Sequence, residues 1–130
     1  MSLENYKFHK EHTWVKISGK TKKVKVGISD YAQESLGDII YIELPEIDNH
    51  VEADTEMAEI ESTKTSSPVI APVSGTIVEI NEELIDHPEI INEDPYGKGW
   101  IAVIEMDNPR ELEDLMDYED YESYLEEERE

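Results

Sequence analysis

The sequence predicts a mainly β domain, a sandwich or barrel, with short helices between strands and a helix at its C-terminal end. Three observations predict it. Short segments rich in β-branched residues recur from Thr13 to Glu105. Turn chemistry separates almost every pair of them. The chain has 130 residues, 38% of them apolar, which is enough for one buried core without covalent staples.

Strands are expected at 13–18 (TWVKIS), 23–28 (KVKVGI), 39–44 (IIYIEL), 57–61 (MAEIE), 69–71 (VIA), 76–80 (TIVEI) and 100–105 (WIAVIE). Gly19-Lys20 joins the first two as a hairpin. Pro45, Asp48-Asn49, Ser66-Ser67-Pro68, Pro72, Ser74-Gly75 and the Gly97/Gly99 pair supply the other breaks. Three helical segments interrupt the strands. The first, SDYAQESLG, runs from a Ser29 cap to a Gly37 stop. The second, NEELIDHP, takes Asn81 as its cap and ends before Pro88. The third, NPRELEDLM, has Asn108 as cap, Pro109 at its first position and Glu111 as capping-box partner. Leu112, Leu115 and Met116 share one face of it, and Tyr118, Tyr121 and Leu125 extend the stripe. Residues 1–130 then form a single domain, with 108–126 its C-terminal helix and the acidic end frayed.

Charge is unevenly spread. Thirty-three acids face eleven basic side chains, a net of −22. Residues 1–26 hold seven of the lysines, while the long stretch from 27 to 104 holds only Lys64 and Lys98. So acidic a surface argues against nucleic acid and anionic membrane as partners, because both are polyanions. The absence of cysteine excludes disulfides, zinc–thiolate centres and cysteine nucleophiles. No apolar run is long enough to span a bilayer. The N-terminal residues carry neither a signal nor a transit pattern, so a cytoplasmic protein is expected.

The segment that stands out is Glu61-Ser62-Thr63-Lys64-Thr65-Ser66-Ser67-Pro68. It reads as strand, tight turn, strand, with Lys64 at the middle of the turn. Small hydroxyl neighbours leave the amine sterically open, and its unbranched stem projects it outward. That geometry suits covalent attachment of a group that must swing between partners. An ordinary turn lysine is the plainer reading of these residues alone.

Around this segment the chain resembles a known family. GISDYAQESLGDIIYIELPEI at 27–47, AEIESTKTSSPVIAPVSGTIVEIN at 58–81 and INEDPYGKGWIAVIE at 91–105 match, in order and spacing, the H proteins of the glycine cleavage system. The resemblance extends from about His12 to the C-terminal helix. It implies the barrel-sandwich hybrid fold of lipoyl and biotinyl carriers. It implies lipoic acid in amide linkage to Lys64. Glu61, three residues before, and Gly75, eleven after, are the features that lipoate-attaching enzymes would read. Lipoyl domains of oxoacid dehydrogenases typically show D-K-A and biotin carriers M-K-M, whereas this chain shows T-K-T.

The resemblance further implies a non-catalytic carrier, present as a monomer. It would take the aminomethyl group of glycine from a pyridoxal-phosphate decarboxylase to a tetrahydrofolate-dependent aminomethyltransferase. A flavin dihydrolipoyl dehydrogenase would reoxidise the arm. Glu11 and His12 are the candidates for sheltering the loaded arm, with Glu61 a further carboxylate for its ammonium end. Two alternatives remain at this point: a relay that donates lipoyl groups to other carriers, and an unmodified acidic interaction module.

The chain departs from the family pattern at four places. Thr13 stands where an acid is common between the histidine and Trp14. Pro68 stands where an acid is common four residues after the lysine. Asp48 and Asp54 replace glycines, and aspartate tolerates the left-handed turn geometry better than most residues. Other constellations are weak. His9-x-x-His12 lacks a third ligand at a telling spacing, so a metal site is not expected. His12 and Trp14 are expected to pack on one strand face. No carboxylate pair stands apart as a general acid and base. Gly97 and Gly99 lack the strand–loop–helix context of a phosphate cradle and read as a turn.

Overall fold

The structure, a computed structural model, describes Leu3, residues 5–17 and residues 22–129. The elements run β1 (Tyr6–Phe8), β2 (Thr13–Ile17), β3 (Lys23–Ile28), α1 (Asp30–Leu36), β4 (Ile39–Glu43), β5 (His50–Val51), β6 (Glu56–Ser62), β7 (Ser66–Ile70), β8 (Gly75–Ile80), α2 (Glu83–Asp86), α3 (Ile90–Glu93) and β9 (Ala102–Met106). A 3-10 turn (Pro109–Asp114) and α4 (Tyr118–Arg129) follow. Glu130 and the expected Gly19-Lys20 hairpin lie outside the described residues.

Two antiparallel sheets result. One has the order β1-β2-β3-β9-β8-β5 and the other β4-β6-β7. Both contribute to the same apolar core: Val24 and Val26 from β3, Ile77 from β8 and Ile104 from β9 meet Ile42 from β4, Ile60 from β6 and Val69 from β7. Each such side chain contributes roughly 1.5–3 kcal/mol when fully removed from water. Leu36, Leu84 and Ile91 seal the core from α1, α2 and α3.

Local signals explain the helix that matters most. Ser29 accepts a hydrogen bond from Ala32 N at 3.2 Å, and Gly37 ends α1 with φ of 81°. The two aspartates standing in for glycines both adopt left-handed backbone, Asp48 at φ 76° and Asp54 at φ 71°. The 97–99 stretch is a turn, tied down by Asp94 Oδ2 accepting from Lys98 N at 3.0 Å.

Three expectations are corrected. Asn81 does not cap α2, which begins after Glu82 without a side-chain cap. Its amide instead donates to the carbonyls of Lys98 and Trp100 at 2.9 and 2.8 Å, because it is buried beside that turn. The C-terminal helix is not continuous. Asn108 accepts from Arg110 N at 3.1 Å as expected, but Glu111 turns to Ser74, accepting from its N and Oγ at 2.8 and 3.1 Å. The helix then stops because Met116 and Phe8 exchange both backbone hydrogen bonds, at 2.7 and 2.9 Å. That pairing demands extended backbone. Finally, His12 does not share a strand face with Trp14. It precedes β2 in a left-handed conformation, φ 72°.

β1, unforeseen in the sequence, anchors a second cluster. Tyr6, Phe8, Trp14 and Tyr121 are buried there, with Met116, Tyr124 and Leu125 packed against them. Phe8 and Tyr121 stack at 4.4 Å between ring centroids. Trp14 lies over Gly27, where a Cβ would come within 2.6 Å of its ring. Burial pushes the Tyr96 phenol up to about 12, so it stays neutral and accepts from Asp30 N at 3.0 Å. These contacts hold α4 against the sheet, and α4 in turn reaches the candidate site.

Candidate functional site

Thr63-Lys64-Thr65 joins β6 to β7, and one buried hydroxyl organises the turn. Along β6 the side chains alternate, so Glu61 points to solvent and Ser62 inward. Ser62 N donates to Thr65 O at 2.8 Å, closing the hairpin. Ser62 Oγ accepts from the amides of Lys64 and Thr65, each at 3.2 Å, and donates to Thr65 O at 3.1 Å. On the outer side Thr63 N donates to Asp38 O at 3.0 Å. The turn is thus fixed to the link between α1 and β4.

Lys64 is exposed at the tip. Its stem lies across Gly37, where a Cβ would stand 3.1 Å from Lys64 Cε. Asn92 of α3 holds this floor in place. Its Nδ2 donates to Gly37 O and Gln33 Oε1, both at 2.9 Å, and its Oδ1 accepts from Ile39 N at 2.9 Å.

Beside the turn runs a cleft of about 510 Å³, walled by the loop before β2, by α1 and by β7. Leu36 and Ser67, which line it, flank Gly37 and the Lys64 turn in sequence. Glu11, His12, Asp54 and Pro68 also line it. Glu11 is exposed and His12 half-buried. His9 Nδ1 accepts from Glu11 N at 3.0 Å, which leaves Nε2 to carry the proton toward Asp54 Oδ1 at 2.6 Å. His12 Nδ1 meets Tyr121 OH at 2.8 Å, and that hydroxyl meets Ser29 Oγ at 2.6 Å. So His9 and His12 turn to different partners. Thr13, in the position where an acid is common, donates its hydroxyl to Ile70 O at 2.7 Å and is buried and neutral.

Glu61 is thus exposed on β6 three residues before Lys64, and Glu11 and His12 line the cleft. The structure does not bring Gly75 to them. Gly75 opens β8 in the other sheet, paired with Val51 and Met106. A Cβ there would run into the Glu105 carbonyl oxygen, so the packing of β8 on β9 calls for a glycine at this position. Sequence reasoning missed Ser62, Gly37 and Asn92 as supports of the lysine. For Ser62 a signal existed, a small hydroxyl opening a tight turn. For Asn92 there was none, because its partners are distant in sequence.

Two antiparallel sheets around one core, with a lysine exposed at the tip of a tight β-turn, have the form of a carrier domain. The fold is matched by the crystal structure of a glycine cleavage system H protein from Mycobacterium marinum, with a TM-score of 0.82 and 36% identity, covering 92% of this chain and 95% of that one. A family profile for the glycine cleavage H-protein matches residues 6–128, and the chain belongs to that family. Glycine cleavage system H protein 4 of Aquifex aeolicus is 56% identical over 92% of this chain and 69% of its own length. The glycine cleavage system H protein of Carboxydothermus hydrogenoformans is 47% identical over 98% and 96%. The fold is accordingly the barrel-sandwich hybrid of lipoyl carriers, and the family is one of carriers rather than catalysts.

Proposed function

We propose that Lys64 carries a lipoyl group in amide linkage and that the chain serves the glycine cleavage system as its carrier. The observation that carries this is Lys64 itself, exposed at the tip of a turn braced by Ser62, with its stem lying over Gly37. The donor chemistry fits the group. A primary amine with small neighbours can take an acyl chain, and the cleft has room for that chain with apolar wall at Leu36, Pro68 and Val69. When bound, the lipoyl group supplies a disulfide that takes up the aminomethyl carbon of glycine and is reduced in doing so.

The rest is the work of this chain's residues. Ser62 and Asp38 hold the turn rigid, so the amine leaves the surface in one direction. The cleft wall excludes water from whatever lies along it. Glu11, exposed, and His12, half-buried, both line the cleft and offer polar contacts to a cationic cargo. Glu61, exposed beside the turn, is a contact for lipoate-attaching enzymes. The partners are the pyridoxal-phosphate decarboxylase, the tetrahydrofolate-dependent aminomethyltransferase and the dihydrolipoyl dehydrogenase. The chain works as a monomer in the cytoplasm. Among the described residues no helix is long and apolar enough to cross a membrane.

Intact mass of the protein from its native host tests the attachment. One lipoyl mass, lost in Lys64→Arg, is expected. The same mass found on Lys98 or on an N-terminal lysine overturns the assignment. A reconstituted glycine cleavage assay then tests the pathway.

A further inference from the structure

We infer that the edge strand β4 is a docking surface for the enzyme that acylates Lys64, with Ile40 and Tyr41 entering an apolar pocket rimmed by lysine or arginine. This rests on the reading of Lys64 as an acyl attachment site.

The first observation is a fault in the strand. Ile39 pairs with Ser62 and Tyr41 with Glu61, so β4 carries one extra residue opposite β6. A bulge of this kind leaves two adjacent side chains pointing the same way. Ile40 is 56% exposed and Tyr41 48% exposed. A folded chain gains nothing by showing both to water, and bulges recur beside functional sites.

The second observation is position. Asp38, which accepts from Thr63 N, immediately precedes β4, and Tyr41 sits opposite Glu61. The apolar pair thus borders the lysine turn. Before acylation the lysine has no arm, so its own amine must enter the acylating active site. That enzyme must cover the surface around Lys64. Enzymes that meet the finished arm can stand further away.

The third observation is charge. Glu43 pairs directly with Glu59 across β4 and β6. Like charges opposite one another destabilise a sheet. A cationic rim on a partner would relieve that repulsion. Asp38 and Glu61 complete an acidic surround in which Lys64 is the lone lysine or arginine among residues 27–97. Attachment forms the amide C–N bond at Lys64 Nζ. The acyl–phosphate bond of an adenylated lipoate breaks, AMP leaves with the electron pair, and the ammonium gives up two protons.

The test uses the unmodified full chain with a purified lipoate–protein ligase, lipoate and ATP. Ile40→Ser/Tyr41→Ser should raise KM about tenfold, the 1.4 kcal/mol of one modest anchor, with kcat nearly unchanged. Glu43→Lys, which leaves the apolar pair intact, should raise KM and flatten its dependence on salt. Binding of Lys64→Ala to the ligase, which no acylation can follow, should weaken by the same factor when the double substitution is added. Unchanged KM and binding in variants that melt like wild type overturn the docking surface. So does a wild-type dimer in sedimentation that the double substitution abolishes. Absent acylation of wild type, or acylation of Lys64→Arg, instead overturns the assignment of Lys64.

Discussion

Lys64 lies across Gly37, with its Cε only 3.1 Å from where a Cβ on that glycine would stand. Gly37 sits at φ 81° and ψ −154°, a region almost reserved for glycine. Two costs therefore meet in Gly37→Ala. The lysine stem is flexible and can move aside, so the contact itself costs little. The backbone strain does not relax, and a loss of about 1–3 kcal/mol is expected. Urea denaturation should show it as a lower midpoint with an unchanged slope. Lys64→Ala/Gly37→Ala should be destabilised equally, because strain rather than the contact dominates. Recovery in the double variant would show the reverse.

Ser62→Ala removes the hydroxyl that accepts from the amides of Lys64 and Thr65. The turn is exposed, so water replaces part of what is lost. A net cost of about 1 kcal/mol follows, which lowers the melting temperature by roughly 3–6 °C. Hydrogen exchange at the Lys64 and Thr65 amides should quicken, while the β6 interior stays protected. Unchanged exchange at both amides would show that the hydroxyl does not brace the turn.

These two supports differ in how far the sequence disclosed them. Gly37 was legible as a helix stop because Ser29 and Gly37 bracket α1 with purely local chemistry. Lys64 was legible because its neighbours make a turn by themselves. β1 was not, since Tyr6 and Phe8 become a strand only by pairing with β2, with Phe8 stacking on Tyr121 from the far end of the chain. The break at Met116 was hidden for the same reason: its cause is Phe8. Asn92 stood in the matched 91–105 block, yet nothing around it pointed to Gly37. What local caps and turns determine was readable, and what contacts between distant segments determine was not.

His50 offers a pH test away from the site. Its Nε2 meets Asp107 Oδ2 at 2.5 Å, and that hydrogen bond raises the imidazole above its ordinary 6.5, against a smaller lowering by desolvation. The Coulomb fields of Asp107 and Glu52 raise it further. A raised folded-state pKa means the pair stabilises the fold fully below 6.5. The contribution fades as pH climbs through the folded-state value. Asp107→Asn should bring the His50 NMR titration midpoint back down. It should also remove this part of the decline in stability as pH rises above 6.5. A midpoint that stays put would show that Asp107 does not hold the charge.

Shelter of a loaded arm is the property on which the proposed carrier role depends. Water would split an unprotected aminomethyl cargo into formaldehyde and ammonia, so the cleft must keep water away. Carrier charged with labelled glycine and the decarboxylase, then freed of that enzyme, should release formaldehyde slowly while folded and quickly once denatured. Glu11 tests the electrostatic share. It lines the cleft but is exposed, and a wet carboxylate contributes no more than about 1 kcal/mol to a cation beside it. Taking about 0.7 kcal/mol, Glu11→Ala should speed release about threefold. His12 is half-buried and also holds Tyr121, so its loss loosens the wall as well as removing a contact. His12→Ala should therefore leak faster than Glu11→Ala, and Tyr121→Phe, which keeps the ring but drops the bond, should fall between wild type and His12→Ala. Equal release from folded and denatured protein would remove the cleft from the account altogether. Wild-type release in Glu11→Ala would remove Glu11 alone, leaving the apolar wall of Leu36, Pro68 and Val69 to exclude water by itself.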